Sequence, residues 1–195
     1  MFEEGLRMKQ EFGANNVFDL SLGNPVVEPP DQVKQAIKSA ANDTASGLHR
    51  YMPNAGLEVA RKAIAKSLTS EVQVELTADH VVMVCGAAGG LNIVLKTLLD
   101  PGEEVIIFSP FFVEYLFYSE NQGGKTVAVP TNEDFSMNFS ALSEALSPNT
   151  KAVIINSPNN PTGVVYSRGM LEELSSILKK YSIDNKKPIY LISDD

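Results

Sequence analysis

Residues 81–108 read Val81-Val82-Met83-Val84-Cys85-Gly86-Ala87-Ala88-Gly89-Gly90-Leu91-Asn92-Ile93-Val94-Leu95-Lys96-Thr97-Leu98-Leu99-Asp100-Pro101-Gly102-Glu103-Glu104-Val105-Ile106-Ile107-Phe108. Two short runs rich in β-branched residues, Val81–Cys85 and Glu104–Phe108, flank a segment in which Leu91, Val94, Leu95 and Leu98 recur at helical spacing. Run, stripe, run is the pattern of a strand, a crossover helix and a second strand parallel to the first.

The same alternation continues outward. Further runs stand at Lys125–Val129, Ala152–Asn156 and Ile189–Ser193. Helical stripes separate them: Val113, Leu116 and Phe117; Leu142, Ala145 and Leu146; and a longer one from Met170 to Tyr181, with Ser167 as its predicted N-cap. Five predicted strands alternating with helices give an α/β fold, a mostly parallel sheet flanked by helices with right-handed crossovers. On the N-terminal side, Asn54-Ala55-Gly56 opens a helix carrying Leu57, Ala60, Ile64 and Leu68 on one face. Before that lie the turn-rich Ser21-Leu22-Gly23-Asn24-Pro25, then Pro29-Pro30. A helix after Asp31 is expected to bury the face of Val33, Ala36, Ile37 and Ala40. The chain divides into an N-terminal segment, 1–47, too short for its own core, and a domain from 48 to 195.

At 195 residues the chain fits one domain plus some extra, taking about 150 residues per domain. Its 24 acidic against 16 basic residues give a net charge of −8, which argues against nucleic acid or anionic lipid as partner. The lone cysteine, Cys85, excludes an intrachain disulfide, and it reads as a small hydrophobe ending a buried strand. His49 and His80 lack ligand-like spacing, so no metal site is expected. No stretch approaches the ~18 apolar residues of a membrane span, and residues 1–10 do not read as a signal peptide. A soluble, cytoplasmic protein is the expectation.

In a parallel sheet, ligands bind beyond the carboxyl ends of the strands. There the sequence places Gly86-Ala87-Ala88-Gly89-Gly90, Ser109-Pro110-Phe111-Phe112, Ser157-Pro158-Asn159-Asn160-Pro161-Thr162-Gly163 and Asp194-Asp195. Each has a plain reading beside a functional one. The glycine-rich string is a tight turn or a cradle for an anion at a helix N-terminus. Phe112 is core or a stacking partner for a planar ring, and Phe111 reads as core. The Asn-Asn-Pro-Thr-Gly string is a stiff turn, or one that aims an amide at a ligand oxygen. Asp194 is a solvated chain end or a carboxylate meeting a cationic ring nitrogen. Tyr51 by itself reads as exposed on a connection, where most tyrosines are packing residues.

Taken in order, Tyr51-x-x-x-x-Gly56, Gly86-Ala87-Ala88, Pro110-Phe111-Phe112, Asn159-Asn160-Pro161-Thr162-Gly163 and Ser193-Asp194-Asp195 resemble the first half of a class I/II aminotransferase. These are fold type I enzymes, similar to aspartate aminotransferase and dependent on pyridoxal 5′-phosphate (PLP). The resemblance begins near Leu20, where Ser21-Leu22-Gly23-Asn24-Pro25 is similar to the family's opening.

The resemblance implies a PLP-binding large domain over 48–195 and an arm or part of the small domain over 1–47. It implies that Gly86, Ala87 and Ala88 hold the cofactor phosphate, that Phe112 stacks on the ring, and that Asn160 bonds the phenolic oxygen. Asp194, as the catalytic carboxylate, would pair with the ring nitrogen. Tyr51 would reach the phosphate of the other subunit of a homodimer, and Gly23, with Asn160, would lie near the substrate. The implied reaction moves an amino group between an amino acid and a 2-oxo acid.

Ala88 stands where a hydroxyl residue is common in the family, Phe112 where Tyr is usual, and Asp195 where Glu is common. The family's Schiff-base lysine and carboxylate-binding arginine lie downstream of its Ser-Asp-Glu segment. The expectation is therefore an N-terminal fragment, inactive alone. Two other readings compete with it: a non-catalytic dimerising or ligand-binding α/β module, and a nucleotide-binding domain, which both glycine fingerprints fail to support.

Overall fold

β-branched runs that must be buried on both faces can be satisfied only in the middle of a layered structure, and the chain builds one. The computed structural model describes residues 2–18, 23 and 27–195. Of the string from Ser21 to Pro25, only Gly23 is among them; the rest lies outside the described residues. The chain divides into two units, residues 1–51 and 52–195. The first contains α1 (Phe2–Phe12), a 3₁₀ turn at Ala14–Asn16 and α2 (Asp31–Asn42).

The second unit opens with α3 (Glu58–Val72) and α4 (Gly86–Leu98). Strand and helix then alternate: β1 (Glu104–Ser109), α5 (Glu114–Glu120), β2 (Lys125–Pro130), α6 (Phe139–Ala145), β3 (Thr150–Asn156), α7 (Arg168–Asn185) and β4 (Tyr190–Asp194). The four strands are ordered β2-β1-β3-β4 and every pair is parallel. Ser167 caps α7 as the sequence predicts, its hydroxyl accepting from the Met170 N–H at 3.3 Å.

Alternate residues of each central strand serve opposite faces. Ile106 and Phe108 of β1 and Val153 and Ile155 of β3 pack with Leu142 of α6 and with Leu174 and Leu178 of α7. Val105, Ile107, Ala152 and Ile154 face the other way, onto Leu91 and Leu95 of α4 and Tyr115 and Tyr118 of α5. Leu95 and Leu174, both without exposed surface, anchor the two helical layers.

Several expectations are corrected. Val81–Cys85 forms no sheet strand: the Met83 N–H donates to the Ala55 carbonyl at 3.0 Å, and Val82, Met83 and Val84 are exposed. Cys85 accordingly ends no buried strand; it is exposed and precedes α4. The buried face of α5 is Tyr115, Tyr118 and Ser119, whereas Val113 and Phe117 are exposed. Helix α3 buries Ala65 and leaves Leu57 and Leu68 exposed. Helix α2 forms but buries nothing, so the expected face of Val33 and Ile37 is exposed. A unit of 51 residues, whose helices among the described residues are α1 and α2, has little apolar surface to enclose one.

The amino edge of the sheet is tied by charge. Glu103, just before β1, meets Lys187 Nζ at 2.8 Å and Lys151 Nζ at 3.3 Å, while the Asp100 N–H donates to it at 3.0 Å. Burial works to raise the Glu103 pKa, but the Asp100 amide and the two ammoniums outweigh it and hold the carboxyl below its ordinary value of 4.5. A depressed carboxyl contributes stability that is present above its unfolded pKa and lost as pH falls through the folded one. Glu103→Gln is expected to cost about 3 kcal/mol in urea unfolding at pH 7, because two partly buried cations lose their anion. The variant should also show less acid-induced loss of stability below pH 4.5 than the wild type. An unchanged midpoint at pH 7 would refute the clamp.

Candidate active site

Because all four strands are parallel, the residues that follow them gather at one edge. Helix α4 reaches the same edge from the other direction. Leu99, the residue that caps its C-terminus, packs at the amino edge, where a Cβ built on Gly124 would lie 2.9 Å from Leu99 Cδ1. The 13 residues of α4 rise ~20 Å, about the length of a six-residue strand. Gly86, Ala87 and Ala88 therefore stand at the carboxyl edge, all three exposed. Gly86 takes φ +72°, open to glycine and strained for other residues, and the N-cap residue Cys85 makes no side-chain cap hydrogen bond. Its first N–H groups face outward with the positive end of the helix dipole.

Asp194 ends β4 opposite Asn156, the last residue of β3. The Asn156 amide donates to the Asp194 backbone carbonyl at 2.6 Å, and its own oxygen accepts from the Asn160 N–H at 2.6 Å. One side chain thus locks the end of β4 to the turn after β3. The Asp194 carboxylate is held separately: the Tyr115 hydroxyl donates to Oδ2 at 2.6 Å. Burial, and then the bond to Asp194, push the Tyr115 phenol well above the usual tyrosine value, so it remains a donor. Among the described residues, Oδ1 of Asp194 and the side-chain amide of Asn160 have no hydrogen-bond partner.

The turn after β3 is stiffened internally. The buried Asn159 accepts through Oδ1 from the Thr162 hydroxyl at 2.8 Å and N–H at 3.3 Å. Its carbonyl accepts from the Gly163 N–H at 2.6 Å. After β1, the Phe112 ring meets Tyr115 edge-on, centroids 5.6 Å apart and planes at 83°. Phe111 packs inward, lining a cavity of about 10 Å³ with Asn159 and Tyr166. Of the expected site residues, Phe112 and Asp194 are linked through Tyr115, and Asn160 and Asp194 through Asn156, while the place of Gly86, Ala87 and Ala88 at that edge is argued from the length of α4. Gly23 and Tyr51 belong to the first unit, where both are exposed.

Two residues of this network, Tyr115 and Asn156, carry no role in the sequence reading. Tyr115 bonds a residue 79 positions away, for which no local pattern exists. Asn156 had a readable signal, a polar residue closing an apolar strand one turn before the Asn-Asn-Pro-Thr-Gly string.

The family described as aminotransferase class I and II matches residues 15–184. The chain belongs to the class I and II aminotransferases. That family is PLP-dependent. An aspartate aminotransferase of Thermotoga maritima is 36% identical over 182 residues, 92% of this chain and 46% of that protein. A probable aspartate/prephenate aminotransferase of Thermus aquaticus is 35% identical over 178 residues, 90% of this chain and 44% of that one. Among solved structures, an aminotransferase from Eubacterium rectale superposes with a TM-score of 0.93 at 38% identity, covering 99% of this chain and 49% of that chain. The chain spans about half the length of the curated relatives it matches.

In this aminotransferase chain, Asn156→Ala should loosen the edge without touching the core. The expected loss is about 1–3 kcal/mol in urea unfolding, with faster hydrogen exchange at the Asn160 amide. Wild-type exchange at Asn160 would show that Asn156 does not hold the turn.

Proposed function

We propose that the carboxyl edge is the cofactor face of a PLP-dependent aminotransferase, which moves an amino group between an amino acid and a 2-oxo acid. The observation that carries this reading is the Asp194 carboxylate, braced on one oxygen by Tyr115 and free on the other, at the edge where an uncapped helix begins. The residues present fit the group. An anionic phosphate suits the open N–H groups of Gly86, Ala87 and Ala88, and a protonated ring nitrogen suits the free oxygen of Asp194.

When bound, PLP supplies the electron sink that stabilises negative charge at the substrate Cα. The chain's own part is to bind and polarise. Asp194 accepts a charge-assisted hydrogen bond and so keeps the proton on the ring nitrogen. Asn160, with its side-chain amide unoccupied, donates to the phenolic oxygen and borders the substrate. Phe112 covers one ring face; as phenylalanine it offers stacking without a hydroxyl. The first turn of α4 holds the phosphate with backbone donors, Ala88 adding no hydroxyl.

Gly23 is assigned to the substrate carboxylate and Tyr51 to the phosphate bound by a second copy. A homodimer, with 48–195 as the large domain and 1–47 as an arm, belongs to the same reading. The fully exposed Tyr51 ring supports the dimer, since an exposed aromatic on a connection is suited to a partner surface. Among the described residues no helix is long and apolar enough to cross a membrane. A cytoplasmic location completes the reading.

Titration of the chain with PLP, followed by absorbance, tests the assignment. Asp194→Ala is expected to weaken binding at least tenfold, since a hydrogen bond to a charged group contributes about 1.5–3 kcal/mol. Thr162→Ala, which alters only the internal bracing of the turn, should stay within about threefold of wild type. Equal affinities for wild type and Asp194→Ala would overturn the proposal.

A further inference from the structure

We infer that Tyr115 is a positioning residue for the cofactor: it acts through Asp194, fixing the direction in which that carboxylate meets the ring nitrogen. The inference rests on the reading of Asp194 given above and extends it to a residue that never touches the cofactor.

A carboxylate at the end of a side chain turns freely about a broad terminal torsion, so its two oxygens are interchangeable unless something distinguishes them. Here something does. The backbone of Asp194 is pinned by Asn156, which leaves the side chain as the remaining freedom. Tyr115 removes that freedom by donating to Oδ2 at 2.6 Å, and Oδ1 is left as the open acceptor.

The donor is itself fixed. Tyr115 is 2% exposed and sits in the first turn of α5. Its N–H donates to the Phe112 carbonyl at 3.1 Å, and its ring meets the Phe112 ring edge-on. The residue assigned to stack on the cofactor and the residue assigned to its nitrogen are therefore joined through one tyrosine. A shift of either transmits to the other. Because the phenol stays protonated, this coupling does not switch off near neutral pH.

Tyr115→Phe keeps the ring and its edge contact and removes only the donor. The test measures dissociation constants of the full chain for PLP and for an analogue in which C–H replaces the ring nitrogen. It uses wild type, Tyr115→Phe, Asp194→Asn and the double variant. Tyr115→Phe should weaken PLP about 5- to 20-fold and leave the carbon analogue within about twofold of wild type, because that analogue makes no demand on Asp194. In the Asp194→Asn background the same substitution should add little. Tyr115→His, which restores an N–H donor, should recover part of the preference for PLP over the analogue.

Equal weakening toward both cofactors would overturn the inference, since a general loss of structure does not distinguish them. So would a full effect in the Asp194→Asn background, or no effect at all. If Tyr115→Phe fails to fold, the ratio of the two affinities in Tyr115→His decides: a retained preference supports the inference and a lost one overturns it. A wild-type chain that binds neither PLP nor the analogue would instead refute the reading of the site, and this inference with it. Normal wild-type binding with an indifferent Tyr115→Phe refutes only the positioning role.

Discussion

Parallel pairing of β2, β1, β3 and β4 is the constraint on which the rest depends. Strands that run one way cannot be joined by tight turns; each connection must travel back across a face, and here helices do so. Those helices supply the apolar surface that both faces of β1 and β3 require, which is why the central runs are apolar at nearly every position. The same constraint sends every strand's carboxyl end, and the loop behind it, to a single edge. A site there needs no special machinery to assemble; the topology delivers its parts.

The two edges solve different electrostatic problems. At the amino edge, Glu103 is surrounded by two lysines and a backbone donor, so its charge is matched and the pairing holds together the starts of β1, β3 and β4. At the carboxyl edge, among the described residues, Asp194 has one neutral donor and an open oxygen, and the α4 N-terminus has donors without acceptors. Unmatched polarity costs stability and offers a complementary ligand something to bind. A molecule with an anion at one end and a cationic ring nitrogen at the other answers both deficits.

Much of this was legible in the sequence because it is local. Four of the runs, from Glu104–Phe108 to Ile189–Ser193, became strands, and Ser167 capped its helix. Errors arose where the outcome depended on a distant partner. Val81–Cys85 has strand composition, yet its Met83 amide pairs with Ala55, a choice that no period-two pattern encodes. Val113 and Phe117 have the spacing of a buried face, but α5 is only seven residues long and turns Tyr115 and Tyr118 onto the sheet, where Tyr115 reaches the distant Asp194. Val33 and Ile37 make an amphipathic stripe whose cover no local signal specifies. The string Asn159 to Gly163 was readable as a rigid turn; that Asn156 ties it to β4 was not, since strand register is a tertiary property.

Amide chemical-shift mapping on the ¹⁵N-labelled chain during PLP titration tests the central claim most directly, because it reads the edge residue by residue and independently of turnover. The account requires the largest shifts at Gly86 to Gly90, Phe112, Asn160 and Asp194, with the Glu103 edge undisturbed. Shifts scattered over surface lysines, or confined to the amino edge, would contradict it.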